Sequence, residues 1–248
     1  MKRIISYANC MLVILVLSPT TSHAQENPGE AYMSAGVFSN YIWRGLKLSE
    51  KTVVQPDIGI SYNNFSISFW SNYDSDTNEH NETDFTFDYA LSYENIEINT
   101  GYIYYAVDGP ESAETSEFYI SMYYDVPFNP TATLYYDNDE GKGGFAEFSI
   151  HRELTLSDHF TFNVSALIGY NLQNNMMGTN NKGEDFNGLY NGDLSIFMPY
   201  DISDNLSFEA IIGYSFPLSD TAEYAIEQNS VDGDSETVYT GVTLTLSI

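Results

Sequence analysis

Arg44, Lys47 and Lys51 crowd into eight positions of the stretch IWRGLKLSEK, in a chain with only six Lys or Arg beyond its third residue. Cations set beside Trp43 and Gly45 can clasp carboxylates, and the chain carries 35 Asp and Glu. Other side chains have spacings with chemical content. Ser149 and His151 stand at i and i+2, on one face of an extended segment, as a nucleophile and its base would. Alternation, however, turns both away from lipid, where a lipid hydrolase would need them. Asp74, Asp76 and Asn78 have the spacing of a calcium loop, but Glu79 stands where such a loop needs Gly. Solvated loop charge is the better reading there, as in DNDEGKGG and VDGDSE. No phosphate-binding Gly loop, zinc spacing or nucleophile motif occurs. The sequence therefore predicts no enzyme, no cofactor and no metal site.

The elements that would position these residues are strands. Phe65, Ile67, Phe69, Ser71 and Tyr73 alternate with Ser66, Ser68, Trp70 and Asn72; Leu206, Phe208, Ala210, Ile212 and Tyr214 alternate with Ser207, Glu209, Ile211 and Gly213. Period-two patterning marks strands with two unlike faces. Twelve such segments are predicted, near 32–42, 53–62, 65–73, 84–93, 96–107, 117–125, 131–137, 144–152, 159–170, 187–200, 206–216 and 237–248. Most have about the 9–11 residues needed to cross a bilayer core when tilted. Their connections alternate between short turns (63–64, 94–95, 126–130, 153–158, 201–205) and mostly longer loops. That parity predicts an all-β, up-and-down antiparallel transmembrane barrel of about 12 strands, with both termini on the periplasmic, short-turn side.

Tyrosines fit the same picture. Tyr62, Tyr93, Tyr124 and Tyr200 fall beside short turns, and Tyr73, Tyr104, Tyr136, Tyr170 and Tyr214 beside long loops, as two interfacial girdles. With the apolar positions toward lipid, Asp57, Asp88, Glu97, Glu147, Asp193 and Glu209 turn inward and would line a pore, with His151 and Arg152 as scarce partners. A lipid-facing charge at mid-membrane costs roughly 2–4 kcal/mol for Arg or Lys, and less for carboxylates. Carboxylates crowded in a lumen favour cations. Twelve strands lie between the filled eight-stranded barrel and the wide 16-stranded one, and Trp70, Tyr105, Tyr119, Tyr123 and Phe197 also take inward parity. The expected function is a narrow, cation-preferring channel for ions or small solutes. Within the loop 42–52, Arg44 and Trp43 would form a constriction, while Lys47 and Lys51 would sit in solvent. The alternative is a non-conducting barrel whose acidic loops serve packing or interaction. A secreted soluble sandwich is the third possibility.

The ends and the composition set further bounds. MKRIISYANCMLVILVLSPTTSHAQ has a basic start, a short apolar run and a small-x-small site at Ser22–Ala24, which predicts a signal peptide over 1–24 and a barrel over 25–248. The mature chain would lose Cys10 and hold 35 acids against six Lys or Arg, a formal −29, with no thiol for a disulfide. Such acidity excludes nucleic acid as a partner. With 21 Tyr and 15 Phe, the chain is too aromatic for a solvated coil. The partners expected are outer-membrane lipids, small ions or solutes, and the barrel-assembly machinery during biogenesis.

SNYIWRGLKLSEKTVVQPDIGISY, Ser39 to Tyr62, resembles the N-terminal signature of the TorF porin family, through Ser39, Tyr41, Arg44, Gly45, Val54 and Gln55. The resemblance implies an outer-membrane barrel with a transport role and no defined substrate. One departure is the C-terminus, LTLSI, where outer-membrane barrels often end in Phe.

Overall fold

The computed structural model describes residues 29–107, 114–157 and 160–248. The expected signal peptide and His159 lie outside the described residues. Twelve strands close into one antiparallel barrel in the order β1-β14-β13-β12-β11-β10-β9-β8-β7-β6-β5-β4. They are β1 (Glu30–Phe38), β4 (Val53–Tyr62), β5 (Phe65–Asp74), β6 (Glu79–Tyr93), β7 (Ile96–Val107), β8 (Thr115–Tyr124), β9 (Thr131–Asp137), β10 (Gly143–Ser157), β11 (Phe160–Leu172), β12 (Asn187–Asp201), β13 (Leu206–Pro217) and β14 (Thr237–Ser247). Among the described residues, a separate two-stranded hairpin, β2 (Ile42–Trp43) and β3 (Leu46–Lys47), and one helix, α1 (Asp220–Asn229), complete the regular structure with a 3-10 turn at Asn175–Met177.

Each strand is half wet and half greasy because its sequence alternates, and closure decides which half faces out. Ile58, Ile60, Phe65, Phe69, Leu91, Phe118, Ile120, Leu134, Leu194 and Ile212 are all exposed on the outer wall. So broad an apolar belt is larger than a water-facing monomer surface ordinarily carries. Tyr62, Tyr93, Tyr124 and Tyr200, all exposed, mark the short-turn rim. The tight turns rest on left-handed residues, Asn63 (φ 54°) after β4 and Glu94 (φ 52°) after β6. β1 is zipped to β14 through Tyr32↔Ser247 to Phe38↔Gly241 and to β4 through Glu30↔Ser61 to Phe38↔Val53. The start of β1 and the end of β14 therefore lie on the short-turn rim. The expected Phe and Leu stripes do not pack between stacked sheets, so the soluble sandwich is excluded.

Three expectations need correction. The first strand stops at Phe38, four residues before the predicted end, because Ser39 and Asn40 turn the chain into the barrel mouth. The segment after it, read as an external loop, is instead the hairpin β2–β3, with Tyr41, Ile42, Arg44 and Leu46 all buried. The connection 217–235, read as a plain loop, contains α1. Its N-cap is Ser219, whose Oγ accepts from the Ala222 amide at 3.2 Å, with Asp220 and Glu223 in the favourable first turn.

Candidate functional site

The hairpin is built to deliver one side chain. Ile42↔Lys47 and Trp43↔Leu46 are paired, which leaves Arg44-Gly45 as a two-residue turn with φ of 49° and 86°. Positive φ at both central positions is the geometry of the tightest hairpin turn, and Gly is the residue that takes it without strain. The stem is held by the Leu48 amide donating to the Tyr41 carbonyl (2.7 Å) and the Tyr41 amide donating to Ser49 Oγ (2.7 Å). Two apolar clusters seat it. Leu46 joins Met177, Ala222, Ala225 and Ile226 over Tyr135, Phe145 and Tyr190, while Tyr41 and Ile42 pack with Phe38, Val53, Phe197, Ile211 and Tyr239. The helix and the hairpin thus form a plug inside the long-loop half of the barrel.

At the tip of the plug lies Arg44, 5% exposed. Its Nη1 and Nη2 donate to Glu117 Oε1 and Oε2 of β8 at 2.7 and 2.8 Å, a bidentate ion pair. Tyr105 adds a hydroxyl hydrogen bond to Glu117 Oε2 at 2.9 Å. The guanidinium carbon sits 4.9 Å from the Trp43 ring, 4.4 Å from Tyr135 and 4.6 Å from Phe145, within cation–π range of all three. Among the described residues, Arg44 is the one Lys or Arg with a buried side chain. The expected constriction pair is thus placed inside the barrel, Arg44 fully and Trp43 half-buried.

All six expected carboxylates turn inward, at different depths. Glu97 and Glu209 lie near the short-turn rim, Asp57 and Asp88 at mid-depth, and Glu147 and Asp193 toward the long loops. Five receive a hydrogen bond from a neutral donor on the wall: Tyr32 to Asp57 Oδ2 (2.8 Å), Tyr119 to Asp88 Oδ2 (2.5 Å), Asn99 Nδ2 to Glu97 Oε1 (2.9 Å), Tyr135 to Glu147 Oε2 (3.5 Å) and Tyr239 to Asp193 Oδ2 (2.9 Å). Asp57 Oδ1 and Glu209 Oε2 are buried with no hydrogen-bond partner in the structure. These acids do not form one cluster; they follow the wall from rim to rim.

Glu117, the residue Arg44 holds, is missing from the sequence expectation. Its parity was readable, since Phe118, Ile120 and Met122 point outward and Glu117, Tyr119, Ser121 and Tyr123 inward. Glu82 of β6, 8% exposed, is a second inward carboxylate left out. Arg152, expected as a lumenal partner, is exposed on the outward parity of β10, with its guanidinium carbon 5.7 Å from the Phe128 ring. Ser149 and His151 both sit on the inward face of β10, half-buried.

The two lysines are not simply in solvent. Lys47 is paired with Asp232, beyond α1, and its carbonyl accepts from the Val231 amide at 2.9 Å. Lys51, still exposed, is paired with Asp76, and that bond raises its ammonium pKa. Partial burial is the largest single influence on the Asp232 carboxyl and pushes it up, but the hydrogen bond and charge of Lys47 together with the backbone hydrogen bonds at Asp234 and Asp232 outweigh it, and Asp232 titrates below its ordinary range. In the calcium-like loop, Asp74 Oδ1 accepts from the Asp76 amide at 2.7 Å, which closes a turn.

The sequence matches no protein-family model and no curated protein. The fold has relatives among solved structures. The NanC porin superposes with a TM-score of 0.51 at 11% identity, over 87% of this chain and 98% of that one. The KdgM porin gives 0.53 at 12% identity, over 88% and 99%; its complex with disordered oligogalacturonate gives 0.53 at 11%, again over 88% and 99%. The fold of the barrel is thus similar to that of these porins over nearly their whole length.

Proposed function

We propose that the protein is an outer-membrane porin-type barrel that passes small cations and slim cationic solutes along a narrow, carboxylate-lined path. Asp57, Asp88, Glu97, Glu147, Asp193 and Glu209 line that path, and the plug carrying Trp43 and Arg44 is its constriction. The observation that carries the reading is the imbalance of charge inside the wall: among the described residues, inward acids at every depth and one buried Arg, already committed to Glu117. Unpaired carboxylates in a narrow space draw counter-ions from water and repel anions. The same sign argues against a polyanion such as the oligogalacturonate that accompanies KdgM. The likeness of Ser39 to Tyr62 to the TorF porins agrees with an exported barrel, with termini and short turns in the periplasm and lipid around the apolar belt.

Recording in planar bilayers under a KCl gradient tests this. The expected result is a small conductance with a reversal potential displaced toward K⁺, moved toward Cl⁻ by Glu97→Lys with Glu209→Lys. Anion preference in the unmodified barrel would overturn the reading. A second reading, a barrel closed to solutes, draws on one observation, the two apolar clusters that seat the plug. Absence of conductance at any voltage would favour it.

A further inference from the structure

We infer that the recess around Arg44 is a guanidinium-binding site which the chain fills with its own arginine, and that a solute carrying a guanidinium group takes the place when Arg44 is removed. The wall side of this recess does not depend on the hairpin. Glu117 is fixed by Tyr105. Tyr135 and Phe145 stand opposite one another in the β9–β10 register. Tyr119 packs on Tyr135 at 6.0 Å between ring centroids, and Tyr190 meets Phe145 edge-on at 5.8 Å. All of these residues belong to the barrel. Trp43 alone arrives with the plug.

What remains without Arg44 is a carboxylate fork flanked by aromatic faces, with Glu147 as a second carboxylate reached by the Tyr135 hydroxyl at 3.5 Å. That shape selects its ligand. A guanidinium is planar, offers paired N–H donors to both carboxylate oxygens at once, and is weakly hydrated enough to leave water for ring faces. An ammonium is compact, strongly hydrated and cannot bridge the fork. The inference goes beyond the channel reading and rests on it only for the solute's route of entry. Binding itself does not require conduction.

The test uses the full barrel refolded in lipid vesicles as wild type, Arg44→Ala, and Arg44→Ala with Glu117→Gln. Thermal unfolding is followed with methylguanidinium or methylammonium at low millimolar concentration. A ligand that binds only the folded state raises the midpoint, and the rise grows with the logarithm of its concentration above Kd. The expected result is a rise for Arg44→Ala with methylguanidinium, none with methylammonium, and none with either in the wild type or the double variant. Equal shifts with both cations, or no shift in Arg44→Ala, would overturn the site. If Arg44→Ala refolds poorly, folded yield becomes the readout: rescue by methylguanidinium alone supports the site, and no rescue overturns it. Reversal potentials of the unmodified barrel decide the channel reading separately, so a barrel that binds the cation without conducting loses the channel and keeps the site.

Discussion

Removing one member of the Arg44–Glu117 pair leaves a charge where water cannot reach. Glu117 is 1% exposed and Arg44 5%, so neither is well rehydrated while the plug stays seated. Glu117→Leu strips the guanidinium of both short hydrogen bonds, and breaking a buried pair in this way costs about 3–5 kcal/mol. The three ring contacts soften that figure, since a desolvated cation–π contact is worth about 2 kcal/mol or more and persists in the variant. Arg44→Met alone leaves the carboxylate with only the Tyr105 hydroxyl, at a similar cost. The double variant Arg44→Met with Glu117→Leu removes both charges and leaves only Tyr105 without its acceptor, a loss of about 1–3 kcal/mol. The double variant is therefore expected to be more stable than either single one, with a coupling energy of roughly 3 kcal/mol or more. Urea unfolding of the barrel in vesicles, followed by the fluorescence of Trp43 and Trp70, measures the cycle. Additive single effects, or a cost below about 1 kcal/mol for Glu117→Leu, would refute the reasoning, because either would mean that the plug undocks and its charges find water.

Other expectations follow from the same geometry. Gly45→Ala should unseat the plug by about 1–3 kcal/mol, because its φ is 86° and the new Cβ would lie 2.8 Å from Asn191 Cβ; faster limited proteolysis near residue 45 would register it. Leu194→Arg, on the outer wall, should cost about 2–4 kcal/mol of stability in vesicles, and a neutral effect would argue that this face does not meet lipid. The Lys47–Asp232 tie has a defined pH dependence. The Asp232 pKa is lowered in the folded chain, so its contribution is present above the unfolded value and is lost as pH falls through the folded one. The protection factor of the Val231 amide, its exchange rate set against that of an open amide at the same pH, should accordingly be high at neutral pH and fall in strong acid. Asp232→Asn should remove that acid step, with a stability loss of at most about 1 kcal/mol for a pair this near the surface.

The barrel was legible because its signal is repeated. Alternation, turn chemistry and the parity of the connections each point to the same closed sheet, and an error in one strand is corrected by its neighbours. The predicted spans 53–62, 96–107 and 131–137 coincide with β4, β7 and β9. What lay between strands had no such redundancy. The plug was half visible: WRGL is a hairpin sequence, and Arg44 was placed near lumenal acids, but nothing local says that Tyr41 and Ile42 turn inward. Glu117 is the first residue of the predicted segment 117–125, where too few alternating positions precede it to fix its face from that side. The α1 stretch carried a Ser219 cap and an Ala222–Ala225–Ile226 stripe, both overlooked against so much β patterning. Contacts between elements far apart in the chain, such as Lys47 with Asp232, leave no trace in local spacing.

The seam between β1 and β14 has a bearing on timing. Ser39 meets Thr240 through two hydrogen bonds, 2.8 and 3.0 Å long, across 201 positions of chain. The strand synthesised first cannot gain its second neighbour until the one synthesised last is delivered. Through that interval two open edges wait, each a template for pairing with another molecule. Closure thus joins the contacts most distant in sequence, the kind that as a class form slowest, and it removes both open edges at once.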